Sequence, residues 1–167
     1  MTPRFFPKVL CELYIDFTDS FFYLWAMKTI EVVAAIIYES FKEGSGYTQR
    51  FLATERGYGD FKGGWEFPGG KIEEGESGEA AIVREIQEEL AVKIDVDSFL
   101  CTVDYDYPNF HLTMHCFLCH VAHGEIQLLE HQDFRWLSEN ELKSVNWLPA
   151  DVLVVENLLH FLKKPLA

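Results

Sequence analysis

The sequence predicts an α/β/α sandwich around a mixed β-sheet. Strand-like segments lie on both sides of an acidic amphipathic helix, and a second amphipathic helix comes near the end of the chain. With 167 residues, 49% of them hydrophobic, the chain suits a single domain and can fill a real core.

The first 26 residues stand apart from this pattern. They are rich in aromatics (Phe5, Phe6, Tyr14, Phe17, Phe21, Phe22, Tyr23, Trp25) but show no clean period. Glu12, Asp16 and Asp19 interrupt them, so they read neither as a signal-peptide core nor as a membrane span. Either Met27 is the true initiator and residues 1–26 are an upstream extension, or the segment is an appended element that packs on the domain or on a second subunit.

A first strand is expected over Ile30 to Glu39, rich in Val, Ile and Ala, followed by a turn at Glu43-Gly44-Ser45-Gly46. Gln49 to Glu55 reads as a second strand and Gly57 to Gly64 as a glycine-bearing loop. Trp65-Glu66-Phe67 is a short strand running into Pro68-Gly69-Gly70. The acidic helix follows, with an apolar stripe of Ala81, Ile82, Ile86 and Leu90 and with Val83 beside it. Lys93 to Tyr107 and Phe110 to Ala122 read as two long strands joined by a turn at Pro108-Asn109. Gly124 to Leu129 is a loop or short strand, and Asp133 to Leu137 is another strand. Ser138 caps a short helix over Glu139 to Lys143. The last helix runs from about Ala150 to Lys163 behind Pro149, with Val152, Val155, Leu158, Leu159 and Leu162 as its apolar side.

Chemistry concentrates between Gly70 and Val92. Glu85, Glu88 and Glu89 are spaced i, i+3 and i+4, which puts three carboxylates on one helix face. Such acids repel one another. A hard divalent cation relieves the repulsion, because Mg2+ prefers carboxylate oxygens and keeps room for waters and substrate phosphates. The turn Phe67-Pro68-Gly69-Gly70 lets backbone carbonyls approach the same place. The stretch reads as a site for phosphate chemistry.

Charge and cysteine content narrow the partners. A net charge of -13 argues against nucleic acid or an anionic membrane surface. It also looks wrong for a polyphosphate binder, unless the acids gather around metal ions and substrate arrives as a magnesium complex. Cys11, Cys101, Cys116 and Cys119 form no disulfide framework and fit a reduced cytosolic setting. Cys116 and Cys119, flanked by His115 and His120, suggest a zinc site at first sight. Residues three apart on a strand point to opposite faces, so buried strand cysteines are the better reading.

Gly70 to Val92 resembles the Nudix box, G-x5-E-x7-R-E-U-x-E-E-x-G-U with U apolar. Gly70, Glu76, Arg84, Glu85, Ile86, Glu88, Glu89 and Val92 all match. Ala91 departs, standing where the family has glycine. That glycine ends the helix in a left-handed conformation, which alanine adopts at a cost of about 1 kcal/mol. Within the family the chain looks most like MutT-like nucleoside triphosphate pyrophosphohydrolases, from Lys28 to about Lys163. The supporting residues are Trp65 to Lys71, Tyr107-Pro-Asn-Phe-His-Leu, Glu130 ahead of Phe134-Arg-Trp-Leu137, and Leu148-Pro-Ala-Asp151.

The resemblance implies the Nudix fold over residues 27–167 and hydrolysis of a nucleoside triphosphate to monophosphate and pyrophosphate, in a monomer or homodimer. It implies that Mg2+ or Mn2+ is held by Glu85, Glu88, Glu89, the Gly69 carbonyl and Glu130, the last as a ligand or a base. Arg84 would hold the glutamates in place by charge-assisted hydrogen bonds, braced by Glu76. Lys71 and Arg56 are the cations placed to meet phosphates, or else are solvated surface charges. Asp151 reads the base edge, or serves as a charge at a helix N-terminus. Phe110 stacks on the base, or belongs to the core.

The favoured substrates are oxidised nucleotides such as 8-oxo-dGTP, with cytidine triphosphates, 5-substituted forms included, as the runner-up. Hydrolysis of ADP-ribose or another sugar nucleotide or dinucleotide is a further alternative, because Pro108 lies where ADP-ribose hydrolases carry a proline; the hairpin explains that residue equally well. A non-catalytic Nudix-fold module is the last, and the intact set of box acids speaks against it.

Overall fold

The computed structural model describes residues 27–164, so the 1–26 segment and its two readings lie outside the described residues. In chain order the elements are β1 (Lys28–Glu43), β2 (Gly46–Arg56), β3 (Trp65–Glu66), α1 (Gly78–Leu90), β4 (Lys93–Tyr107), β5 (Phe110–His123), β6 (His131–Ser138), a 3-10 turn at Glu139–Glu141 and α2 (Pro149–Leu162). None of the described helices is long and apolar enough to cross a membrane.

The sheet is mixed because β1 pairs in two ways. Its first part, Lys28 to Ile37, runs parallel to β5, while Tyr38 to Glu43 turns back antiparallel against β2. The strand order is β3-β2-β1-β5-β4, and β6 pairs with β2. Strict alternation along β1 builds the two layers. Val33, Ala35 and Ile37 face α1 with Ile82, Ile86 and Leu90. Ala34 and Ile36 face α2 with Val154, Val155 and Leu158. This is the expected α/β/α sandwich.

Local chemistry sets most boundaries. The β1–β2 hairpin turns on Gly44 and Ser45, with Gly44 at φ 59. The Ser77 side chain accepts from the Ala80 amide at 3.2 Å and starts α1. Ala91, at φ 56 and ψ 24, ends it in the left-handed conformation that the box glycine adopts, and its amide donates to the Gln87 carbonyl. The substitution of alanine therefore keeps the turn.

Two expectations need correction. The helix expected over Glu139 to Lys143 is only a 3-10 turn at Glu139–Glu141, after which the Glu141 carbonyl accepts from the Ser144 amide only three residues on. Val152 is exposed, whereas Val155 and Leu158 are buried as expected and are joined by Ala150 and Val154. Asp151 causes this shift: its carboxyl is pinned inward by the Phe67 amide. Val83 on α1 is exposed, beside the buried stripe as expected.

Cys116 and Cys119 are both fully buried, one in each core layer. They are core residues on opposite faces, as strand alternation requires.

Candidate active site

The residues after β3 form the hinge of the site. The Phe67–Gly70 segment crosses β1, where the Ala35 amide donates to the Pro68 carbonyl and the Val33 amide to the Gly70 carbonyl, both at 2.8 Å. Gly69, between them, is turned away from β1, and its amide donates to Glu89 Oε2 at 3.0 Å. Only glycine fits: a Cβ there would lie 2.1 Å from the Val33 carbonyl oxygen. At Gly70 a Cβ would meet the Glu85 carboxyl at 2.3 Å. The two glycines thus admit, respectively, a strand backbone and a carboxylate.

Arg84 ties the acidic helix to this segment. Its guanidinium donates to both oxygens of Glu76 (3.0 and 2.8 Å), to Glu85 (2.8 Å), to Glu88 (3.3 Å) and to the Lys71 carbonyl (2.9 Å). The arginine holds the Glu76 carboxyl below its usual range. Glu76 in turn, followed by Glu85, raises the already high proton affinity of Arg84. Glu76 thus contacts Arg84, and Arg84 contacts both Glu85 and Glu88.

A cleft of about 460 Å³ opens beside the knot. Glu85, Glu89, Gly69, Lys71, Arg56, Phe110, Glu130 and Asp151 all line it. These are most of the sequence-nominated residues. Arg84 and Glu88 are not among its lining: Arg84 sits behind it, and Glu88 is 57% exposed and faces Arg84 at the rim. Arg56 reaches the cleft, but its guanidinium is committed to Glu66 through three hydrogen bonds of 2.6–3.1 Å. Phe110 stacks on Tyr107 with centroids 4.7 Å apart, and Phe61 meets Tyr107 edge-on at 5.3 Å. Tyr58 donates its hydroxyl to Glu130 at 3.0 Å, holding that acid on the loop across from α1.

A larger cavity of about 870 Å³ lies elsewhere, between the β1–β2 hairpin and the end of α2. Asp97 and Glu139 are the only acids in its lining, so the carboxylate chemistry belongs to the smaller cleft.

Glu66 was not nominated from the sequence, yet it is the buried hub of the cleft's back wall. Burial alone would raise its pKa, but hydrogen bonds from His131 and Arg56 outweigh it and keep the carboxylate ionised. His131 Nε2 lies 3.2 Å from Glu66, and its Nδ1 is buried without a protein partner among the described residues. The available signal was an acid between two large apolar residues, Trp65 and Phe67. A charge in such a place must be paired. Tyr58, Phe61 and Tyr107 were missed as well, because loop and strand aromatics read as core.

The remaining acids feel this field. The Glu89 carboxyl is pushed up to about 8 by burial first and then by the charge of Glu66, with Glu130 and Glu85 adding to it. Asp151 is also pushed up to about 8, chiefly by burial, against the opposing hydrogen bond from the Phe67 amide at 2.9 Å.

A neutral Asp151 predicts a pH signature. A carboxyl whose folded pKa is raised contributes its full stability below its ordinary value of 3.8 and loses it as the pH climbs through about 8. Asp151→Asn keeps an oxygen for the Phe67 amide and removes the titration. The stability of the variant relative to the native chain should therefore rise between pH 5 and pH 8 in parallel urea melts. A difference that stays flat or falls would exclude a neutral carboxyl.

The donor set suits a hard cation. Glu85, Glu89 and Glu130 offer carboxylate oxygens from two sides of the cleft, and among the described residues no cysteine or histidine lines it. Among the described residues, no three such side chains form a ready-made cage. Glu85 is turned to Arg84 and Glu89 to Gly69. Mg2+ tolerates this, since it is commonly held by one or two carboxylates together with waters and substrate phosphates.

Carboxylates on one helix, a glycine turn beneath them and an aromatic wall opposite define a hydrolase of phosphoanhydrides. The comparisons agree. The family described as the NUDIX domain matches residues 29–162. The chain is 36% identical over 130 residues to the CTP pyrophosphohydrolase of Escherichia coli K12, covering 78% of this chain and 91% of that one. It is 38% identical over 93 residues to the 8-oxo-dGTP diphosphatase of the same organism, covering 56% and 72% of the two chains. Among solved structures, the E. coli ORF135 protein superposes with a TM-score of 0.68 at 33% identity, covering 86% of this chain and 98% of that one. The chain belongs to the Nudix family. Within it, it is a pyrophosphohydrolase of the MutT type.

Proposed function

We propose that the protein hydrolyses nucleoside triphosphates, with Mg2+ or Mn2+, to nucleoside monophosphate and pyrophosphate, and that its preferred substrates are oxidised or otherwise modified nucleotides such as 8-oxo-dGTP. The observation that carries this reading is the polarity of the cleft. Glu85, Glu89 and Glu130 line it together with the aromatics Tyr107 and Phe110 and the buried Asp151. A molecule with a polyphosphate at one end and a base at the other fits that division.

In this proposal Glu85, Glu89, Glu130 and the Gly69 carbonyl hold the cation, with Glu88 at the rim. When bound, the ion neutralises phosphate oxygens and lowers the pKa of water. The protein's own part is positional. Arg84 fixes the Glu85 carboxylate, Lys71 supplies a cation to the phosphates, and Tyr58 fixes Glu130 as a ligand or base. Arg56 is anchored on Glu66 through Nε and Nη2, and Nη1 is the donor it would offer a phosphate. Phe110, backed by Tyr107, offers a face for stacking.

Asp151 is the proposed base reader. One oxygen accepts from Phe67, and a neutral carboxyl both donates and accepts, so it can pair with an adjoining donor and acceptor on a base edge. Guanine and cytosine both present such a pair. A second reading, hydrolysis of cytidine triphosphates, is favoured by the CTP pyrophosphohydrolase relative, which the match covers over 91% of its length.

The deciding measurement is kcat/KM, with pyrophosphate detection, over canonical and oxidised nucleoside triphosphates plus ADP-ribose and a dinucleoside polyphosphate. The expected order has 8-oxo-dGTP or a cytidine triphosphate at the top. Asp151→Ala should flatten that order by about 10-fold or more, since a lost base-edge hydrogen bond is worth about 1–3 kcal/mol. ADP-ribose leading the panel would overturn the triphosphate reading, and an unchanged order in the variant would remove Asp151 from base recognition.

A further inference from the structure

Away from the cleft, the β4–β5 hairpin brings two cysteines face to face. Cys101 and Cys116 are register partners across the antiparallel ladder, and both pack in the core layer under α2. Directly opposed residues in such a ladder have Cα atoms about 4.5–5.5 Å apart. That lies within the roughly 4.4–6.8 Å that a disulfide spans. The Cys116 thiol donates to the Met114 carbonyl at 3.8 Å. Their exposure differs: Cys116 is fully buried on β5, whereas Cys101 is partly exposed on β4, the terminal strand of the sheet order. Cys119 faces the opposite layer and cannot reach either of them.

We infer that Cys101 and Cys116 are a redox-responsive pair that closes to a cross-strand disulfide on exposure to a peroxide. The two sulfurs have distinct parts in this reaction. Contact with Cys116 lowers the Cys101 pKa against the effect of its partial burial, while the same contact and then burial raise Cys116. The proton stays on Cys116, and Cys101 is the nucleophile that solvent can reach. With hydrogen peroxide, the Cys101 sulfur attacks one oxygen, the O–O bond breaks, and Cys101 becomes a sulfenic acid as the first water leaves. The Cys116 sulfur then attacks the Cys101 sulfur. The S–O bond breaks, and the hydroxyl departs with the Cys116 proton as the second water. Two thiols have lost two electrons in all, and the peroxide has gained them.

The bond would clamp the middle of the hairpin whose turn end presents Tyr107 and Phe110 to the cleft. It restrains the unfolded chain by closing the loop from Cys101 to Cys116, so a rise in Tm of about 5 °C is expected on oxidation.

The test uses the full chain, treated with hydrogen peroxide and then unfolded in N-ethylmaleimide without reductant. Chymotryptic mapping suits it, because Tyr105, Phe110 and Phe117 allow the cysteines to be separated onto different peptides. The expected result is a linked Cys101–Cys116 peptide pair, Cys119 recovered as the alkylated thiol, and a Tm rise that dithiothreitol reverses. In Cys116→Ser, Cys101 should accumulate as a sulfenic acid trapped by dimedone, with no Tm rise. Mapping of the native chain stands on its own if that variant folds poorly. A native chain in which Cys101 becomes a sulfinic acid, or pairs with Cys11, while Cys116 stays a thiol would overturn the inference.

Discussion

Glu85→Gln and Glu89→Gln are each expected to lower kcat by about 10³-fold or more while leaving the fold intact. Both carboxylates line the cleft, and Arg84, which contacts Glu85, is held behind them by Glu76. An amide has nearly the shape of a carboxyl but lacks the charge that a divalent cation or an activated water needs. Stability should separate the two variants. Glu85→Gln weakens a contact with Arg84, so a small loss in Tm is expected. Glu89→Gln keeps an oxygen for the Gly69 amide and removes a buried acid pressed upon by Glu66, Glu130 and Glu85, so Tm should hold or rise. Steady-state turnover with pyrophosphate detection, run beside thermal melts, checks both. Normal rates in either variant, or in the native enzyme with excess chelator, would remove these acids from the chemistry.

The second large effect falls on the glycine turn. Gly69→Ala should destabilise the protein by about 3 kcal/mol or more, a fall in Tm on the order of 10 °C. The new Cβ would lie 2.1 Å from the Val33 carbonyl oxygen and 2.9 Å from its carbon, at a residue with φ 155. Those atoms belong to β1, which is pinned by β5 and cannot yield cheaply. Gly70→Ala should act in the opposite way. Its Cβ would meet the far end of Glu85, a side chain that can swing aside. A loss of about 10²-fold in kcat with Tm nearly unchanged is expected, because the displaced group is the carboxylate itself. Equal melting temperatures for Gly69→Ala and the native chain would show that β1 gives way. Unimpaired turnover in Gly70→Ala would show that Glu85 need not sit where it does.

How much of this was legible in the sequence depended on the range of the interaction. The α1 acids, their arginine and the glycine turn were readable because helical spacing and turn chemistry are local. The strands β4 and β5 were placed almost to the residue, since alternation and the Pro108-Asn109 turn lie within a few positions of one another. Ala91 shows that even a departure from the motif could be interpreted, because a left-handed helix end concerns one residue's own φ and ψ. Reading failed where partners come from different strands. Nothing near Glu66 in the chain indicates Arg56 and His131 as its partners; the register of β2 against β3 and β6 brings them there. Arg56 was nominated for phosphate without sight of this partner, since its pairing with Glu66 is a long-range fact.

By itself, then, the sequence determined the layered class, the acidic helix and the kind of chemistry, all of which follow from short-range periodicity and charge spacing. Only the tertiary structure decided which face of α2 is buried, which acids line the cleft and which carboxyls burial pushes up. It turned Val152 outward and Asp151 inward, left Glu88 on the rim and set Cys101 against Cys116. Burial, register and desolvation are properties of surfaces brought together from distant segments, and no local pattern encodes how those surfaces meet.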